Sequence, residues 1–260
     1  MARTYEAMEK AAREITRKPE SVTPGKQESK APDPLESKQA AVPHPADCFR
    51  LSPRSFEEYS RLKNSLVALL PSARERSILF CGAGPEDGAS TIVRNFALFL
   101  SAVSERVLLV EANLHTPCLH VDFGFDSEPG LRECLDGRRT ALDVVREIPG
   151  QRRFSFMTCG RNEENQLSLF DQEAVESMLQ SVKTEHDWVL LNAPPLNRYD
   201  DATVLAAAMD GAVLVVRAEK TRLEVAQNAK QRLEEGHAKV LGVVFNGRKM
   251  RIPGWIYRRL

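Results

Sequence analysis

Residues 77–91 read SILFCGAGPEDGAST. The apolar run Ser77 to Cys81 has the length and composition of a buried strand. It enters a glycine-rich turn containing Gly84 and Gly88, and Gly88-Ala89-Ser90-Thr91 then opens a helical pattern. Strand, glycine loop and helix in that order is the setting of a phosphate loop. There, backbone N–H groups cradle phosphates and the lysine of a G-K-[ST] triplet reaches the β- and γ-phosphates. In this chain Ala89 stands in the place of that lysine. The stretch predicts a nucleotide-type fold whose loop has lost its principal cation.

Outward from the loop, helical and strand patterns alternate from about Ser55 onward. Phe56 to Leu70 reads as a helix with Tyr59, Leu62, Leu66 and Leu69 on one face. Strands are predicted at Ser77–Cys81, Val107–Glu111, Phe154–Cys159, Trp188–Asn192, Ala212–Arg217 and Val240–Asn246. Helices are predicted at Ser90–Val103, Gln172–Thr184 and Arg222–Glu235, with two short ones within residues 130–147. Runs such as VLLV, WVLL and AVLVV are apolar on both faces, so helices must cover both sides of the sheet. The expected fold is α/β: a doubly wound, mostly parallel sheet.

The remaining sequence bounds the rest. Residues 1–18 are charged throughout and suit a short helix; they lack the apolar centre of a signal peptide. Residues 19–53 contain Pro19, Pro24, Pro32, Pro34, Pro43, Pro45 and Pro53, with Phe49 the one aromatic. Such a segment buries too little apolar surface to offset its ordering entropy, so a disordered linker is expected. Residues 54–247 form the folded domain, and 248–260 a basic, aromatic tail. Lys+Arg and Asp+Glu are equal at 36 each, which gives no electrostatic footprint for nucleic acid. No apolar run approaches the ~18 residues of a membrane-spanning helix. Cys48, Cys81, Cys118, Cys134 and Cys159 show no C-x-x-C spacing and fit a reduced cytoplasm. The histidines 44, 115, 120, 186 and 237 are dispersed, and no metal site is expected.

Three strand ends carry residues where nucleotide chemistry sits in such sheets, at the carboxyl edge. They are GAGPEDGAST, VLLVEANLHTP (Val107 to Pro117) and WVLLNAPPL (Trp188 to Leu196). With EPGLRECLDG (Glu128 to Gly137), DGAVLVVRAEKTRLE and KVLGVVFNG, this ordered set resembles the bacterial tyrosine kinases of capsule and exopolysaccharide export. These are a branch of the deviant-Walker, MinD/ParA-like P-loop ATPases. The resemblance spans about Phe56 to Arg248. It implies a loop of the form A-G-P-x-x-G-K-S-T, a Walker A-prime D-x-D-x-R-x-P and a Walker B D-x-P-P.

Every charged position of that pattern is altered in this chain. Ala89 replaces the lysine, Glu111 and Asn113 replace the A-prime aspartates, His115 replaces the arginine, and Asn192 replaces the Walker B aspartate. Glu86 adds a carboxylate within the loop. No catalytic residue and no cofactor is expected. Gly84, Gly88, Ser90, Thr91 and Asn246, the last at the family's adenine position, are what remains of a nucleotide or anion site, with Mg-ATP as the residual candidate. The family's E-x-x-R-x-x-R assembly helix reads Glu57, Ser60, Lys63 here. Asp201, after Pro194-Pro195, is expected to cap a helix starting near Ala202.

The resemblance implies a cytoplasmic scaffold or regulator of polysaccharide biosynthesis. Its partner would be a membrane adaptor of the co-polymerase type or an active kinase homologue, with homo-oligomerisation left open. Two alternatives stand beside it: a divergent but active tyrosine autokinase, and a MinD/ParA-like positioning ATPase. Residues 248–260, with Trp255, Tyr257 and five basic side chains, suit a peripheral membrane or partner contact.

Overall fold

The computed structural model describes residues 51–151, 153–161 and 170–248. Seven strands form one sheet: β1 (Arg76–Gly82), β2 (Val107–Glu111), β3 (Arg146–Glu147), β4 (Phe154–Met157), β5 (Trp188–Asn192), β6 (Gly211–Arg217) and β7 (Val240–Asn246). Their order is β3-β4-β2-β5-β1-β6-β7. All neighbours are parallel except β3 and β4. The helices are α1 (Pro53–Leu69), α2 (Ala89–Ala102), α3 (Leu119–Phe123), α4 (Leu131–Leu135), α5 (Ala141–Val144), α6 (Gln172–Lys183), α7 (Asp201–Ala207) and α8 (Leu223–Glu235).

Side-chain alternation along the strands divides the interior into two cores. On one face Leu79, Cys81, Leu108, Val110, Val189, Leu191 and Leu214 pack under α6, α7 and α8. On the other, Ile78, Phe80, Leu109, Trp188, Leu190, Val213 and Val215 pack under α1 and α2. Phe96 of α2 anchors this second core edge-on to Trp188, ring centroids 5.8 Å apart. Both faces are covered, as the doubly apolar strands require.

Several expectations are corrected. Helix α1 begins at Pro53, inside the segment expected as linker. The Ser52 hydroxyl caps it by accepting the Ser55 N–H at 3.1 Å, and proline suits the first helical position because its missing N–H is no loss there. Leu69 is exposed rather than on the buried face. The second short helix of residues 130–147 stops at Val144, and Arg146–Glu147 instead forms the antiparallel edge strand β3. Helix α3 had no sequence-based counterpart. The readings for residues 1–18, nearly all of 19–53, and 249–260 lie outside the described residues.

Candidate functional site

The loop between β1 and α2 is held from outside by the end of the sheet. Gly88 has φ 86°, a conformation that favours glycine, and a Cβ there would lie 2.1 Å from Asn246 Nδ2, so that amide would have to shift. The Asn246 amide in turn donates to the Asp87 carbonyl at 2.9 Å. Asn246 therefore ends β7 against the loop backbone.

Asp87, rather than Glu86, supplies the buried carboxylate of the loop. Its Oδ2 accepts the Gly84 N–H at 2.7 Å. Its Oδ1 accepts the Thr221 hydroxyl at 2.6 Å and the Arg217 N–H at 3.3 Å. Glu86 is exposed and in the left-handed region at φ 66°. The carboxylate thus ties the loop to the turn between β6 and α8. No local signal pointed to Thr221, which lies 134 residues away in sequence.

At the centre of the edge, Glu111 and Asn192 are register partners across β2 and β5. Both are fully buried. Asn192 Nδ2 donates to Glu111 Oε1 at 2.7 Å and to Ser90 Oγ at 3.0 Å. Glu111 Oε2 accepts the Cys118 and Leu119 N–H groups at 3.1 and 3.0 Å, and Oε1 accepts that of Asn113 at 3.4 Å. Burial pushes the Glu111 carboxyl up to about 7, against these donors, which pull it down. Among the described residues no lysine or arginine side chain hydrogen-bonds to Ser90, Glu111 or Asn192. Asn192 Oδ1 is buried without a hydrogen-bond partner. A neutral amide thus bridges a hydroxyl and a carboxyl at the point where strand ends and helix start converge.

The other substituted positions have become parts of loops. Asn113 Oδ1 accepts the Thr116 N–H at 3.1 Å, and its Nδ2 donates to Thr116 Oγ1 at 3.0 Å, closing the turn after β2. The His115 ring stacks on Tyr199, centroids 3.5 Å apart and planes 8° from parallel, and Nε2 lies 2.5 Å from Asp201 Oδ2. Asp201 does not cap α7. It is instead the first helical residue, and Asp200 occupies the N-cap without a side-chain cap bond, its carboxylate accepting from the Arg232 guanidinium. Ala89 is buried at the helix start and Thr91 is exposed. On α1, Lys63 pairs with Glu105 at 2.5 Å, while Glu57 faces solvent. No group of three or more His, Cys, Asp or Glu side chains suited to a metal occurs among the described residues. Nor is any described helix long and apolar enough to cross a membrane.

Comparison with known proteins agrees with this architecture. The model of the family described as cellulose biosynthesis protein BcsQ matches residues 78–238. Tyrosine-protein kinase YwqD of Bacillus subtilis is 26% identical over 194 residues, covering 75% of this chain and 81% of YwqD. Tyrosine-protein kinase ptk of Acinetobacter johnsonii is 28% identical over 194 residues, 74% of this chain; the match spans only 26% of ptk. The kinase domain of Escherichia coli ETK superposes with a TM-score of 0.71 at 24% identity, covering 76% of this chain and 78% of the domain. The septum site-determining protein MinD of Pyrococcus horikoshii does so with 0.58 at 20%, covering 71% and 76%. At these identities the two structures establish the fold. With the family model covering well over half of its length, this chain belongs to the BcsQ family; it is similar to bacterial tyrosine kinases in sequence and shares the MinD/ParA-like P-loop fold.

Proposed function

We propose that this chain is a catalytically degraded member of its group, acting through its surfaces as a scaffold or regulator of bacterial capsule or exopolysaccharide biosynthesis and export. The observation that carries the reading is the Asn192 amide lodged between Ser90 and Glu111. By the resemblance, those strand ends would hold the magnesium shell. Phosphoryl transfer rests on placed charge from lysine, Mg²⁺ and carboxylate. Here an N–H donor occupies the bridging position, and Ala89 offers no ammonium. Losing one electrostatic contributor commonly costs about 10²–10³ in rate, and several are replaced together. These residues do not fit Mg-ATP.

The family description, cellulose biosynthesis, supports an envelope polysaccharide as the setting. The proposed partner is a membrane adaptor of the co-polymerase type or an active kinase homologue, met at the cytoplasmic face of the membrane. Lys63, turned toward Glu105, weighs against a ring built from this chain alone. A second reading, a divergent autokinase, draws on Glu111, a carboxylate still ending β2. Incubating the full chain with labelled ATP and Mg²⁺ and reading phosphotyrosine separates the two. No labelling above that of a heat-denatured control is expected; time-dependent labelling, on Tyr257 or elsewhere, overturns the proposal.

A further inference from the structure

The rim of the sheet at β7 is left unfinished. Val243 and Phe245 are register partners of Leu214 and Val216, which lie in the core beneath α8. They therefore project on the α8 side of the sheet, but outboard of the helix. Phe245 is 66% exposed and Leu223 at the start of α8 is 68% exposed, the two highest values among the described large apolar residues; Val243 is 41% exposed. Together with Ala226 and the Lys230 stem these side chains line a cavity of about 720 Å³. That volume lies within the range of sites that enclose a small ligand or a large side chain. Contiguous exposed apolar surface of this kind marks a contact site.

We propose that residues 249–260 of this same chain occupy the groove, with Trp255 as the anchoring side chain. Arg248, the last described residue, itself lines the cavity. The segment KMRIPGWIYRRL supplies Met250, Ile252, Trp255, Ile256, Tyr257 and Leu260. Twelve residues reach up to about 40 Å when extended, far more than the groove requires. Covalent attachment holds the segment at a millimolar-scale effective concentration, which favours it over a free segment of the same affinity. Docking would bury the apolar residues of the segment and the rim at once. The segment would then have to leave the groove before meeting a membrane or partner. This inference does not depend on the loss of catalysis.

Fluorescence of the full chain tests it, because the two tryptophans are Trp188, buried in the core, and Trp255. The difference between the native chain and Trp255→Phe isolates the Trp255 signal. We expect that signal to be blue-shifted, shielded from acrylamide and unchanged on dilution. Phe245→Asp, and independently Leu223→Asp, should shift it to the red and raise its quenching several-fold, with the Trp188 component unaltered as the check on folding. A Trp255 signal quenched as in a free peptide, and insensitive to both variants, overturns the proposal. So does shielding that is lost on dilution, which would place a second copy in the groove.

Discussion

At the carboxyl ends of β2 and β5, Glu111 and Asn192 are fully buried and bonded to each other, whereas at the end of β7 Phe245 leaves most of its surface in solvent. Both regions belong to one sheet, and the ordinary expectation for each is reversed. The strand ends of such sheets are usually open to ligand, and apolar side chains are usually covered. Here the centre has been closed with internal hydrogen bonds, and the rim has been left apolar and uncovered by any other described residue. Chemistry needs accessible charge, and recognition needs accessible apolar surface. The contrast therefore directs attention from the phosphate loop to the edge.

The contrast breaks most directly at Asn192. Asn192→Asp would set a second carboxylate 2.7 Å from Glu111 Oε1 in a fully buried position. An uncompensated buried charge costs about 3–5 kcal/mol. Urea unfolding at pH 8 without divalent cation should register a loss of that order; a change below about 1 kcal/mol would mean that the centre is hydrated rather than closed.

Glu111→Gln sharpens the same point through pH. The folded carboxyl sits at about 7, above its ordinary value of 4.5. Whatever stability the group contributes is fully present below 4.5 and is lost as the pH rises through 7. The glutamine variant lacks this loss, so its stability relative to the native chain should climb across that window. The climb should be up to about 3 kcal/mol, because each tenfold change in proton affinity between the folded and unfolded chain is worth about 1.4 kcal/mol. Parallel stability profiles for the two proteins from pH 4 to 8 would show that Glu111 is not the strained group of the site.

Gly88→Ala tests the clamp between loop and rim. Its φ of 86° strains any side chain, and a Cβ would displace the Asn246 amide. A cost of about 1–3 kcal/mol is expected from the backbone conformation alone, read as a lowered Tm. The smallest effect belongs to the rim. Phe245→Asp should lower global stability by about 1 kcal/mol, the loss of the docked segment, because the side chain is not part of the core.

The sheet was legible because its central strands are apolar at consecutive positions. VLLVE and WVLLN map onto β2 and β5 without error in either boundary. Strand β3 was not, since the two polar residues Arg146 and Glu147 carry no periodicity and form a strand only by pairing with β4. The replaced residues of the loop and strand ends could be named from their spacing, but not their new partners. Glu86 and Asp87 are adjacent carboxylates, and Asp87 turns inward through the Gly84 N–H together with the distant Thr221 hydroxyl and Arg217 N–H, which no local pattern points to. Likewise Asp201 carries the local signature of a cap, and His115, brought in by the β2 loop, engages it instead.

Calorimetric titration of the full chain with ATP, with and without Mg²⁺, decides whether the phosphate loop has lost Mg-ATP, as proposed from Ala89 and Asn192. No saturable heat is expected, or binding weaker than about 1 mM that does not depend on the metal, equivalent to less than about 4 kcal/mol. A dissociation constant in the low micromolar range that requires Mg²⁺ would contradict it.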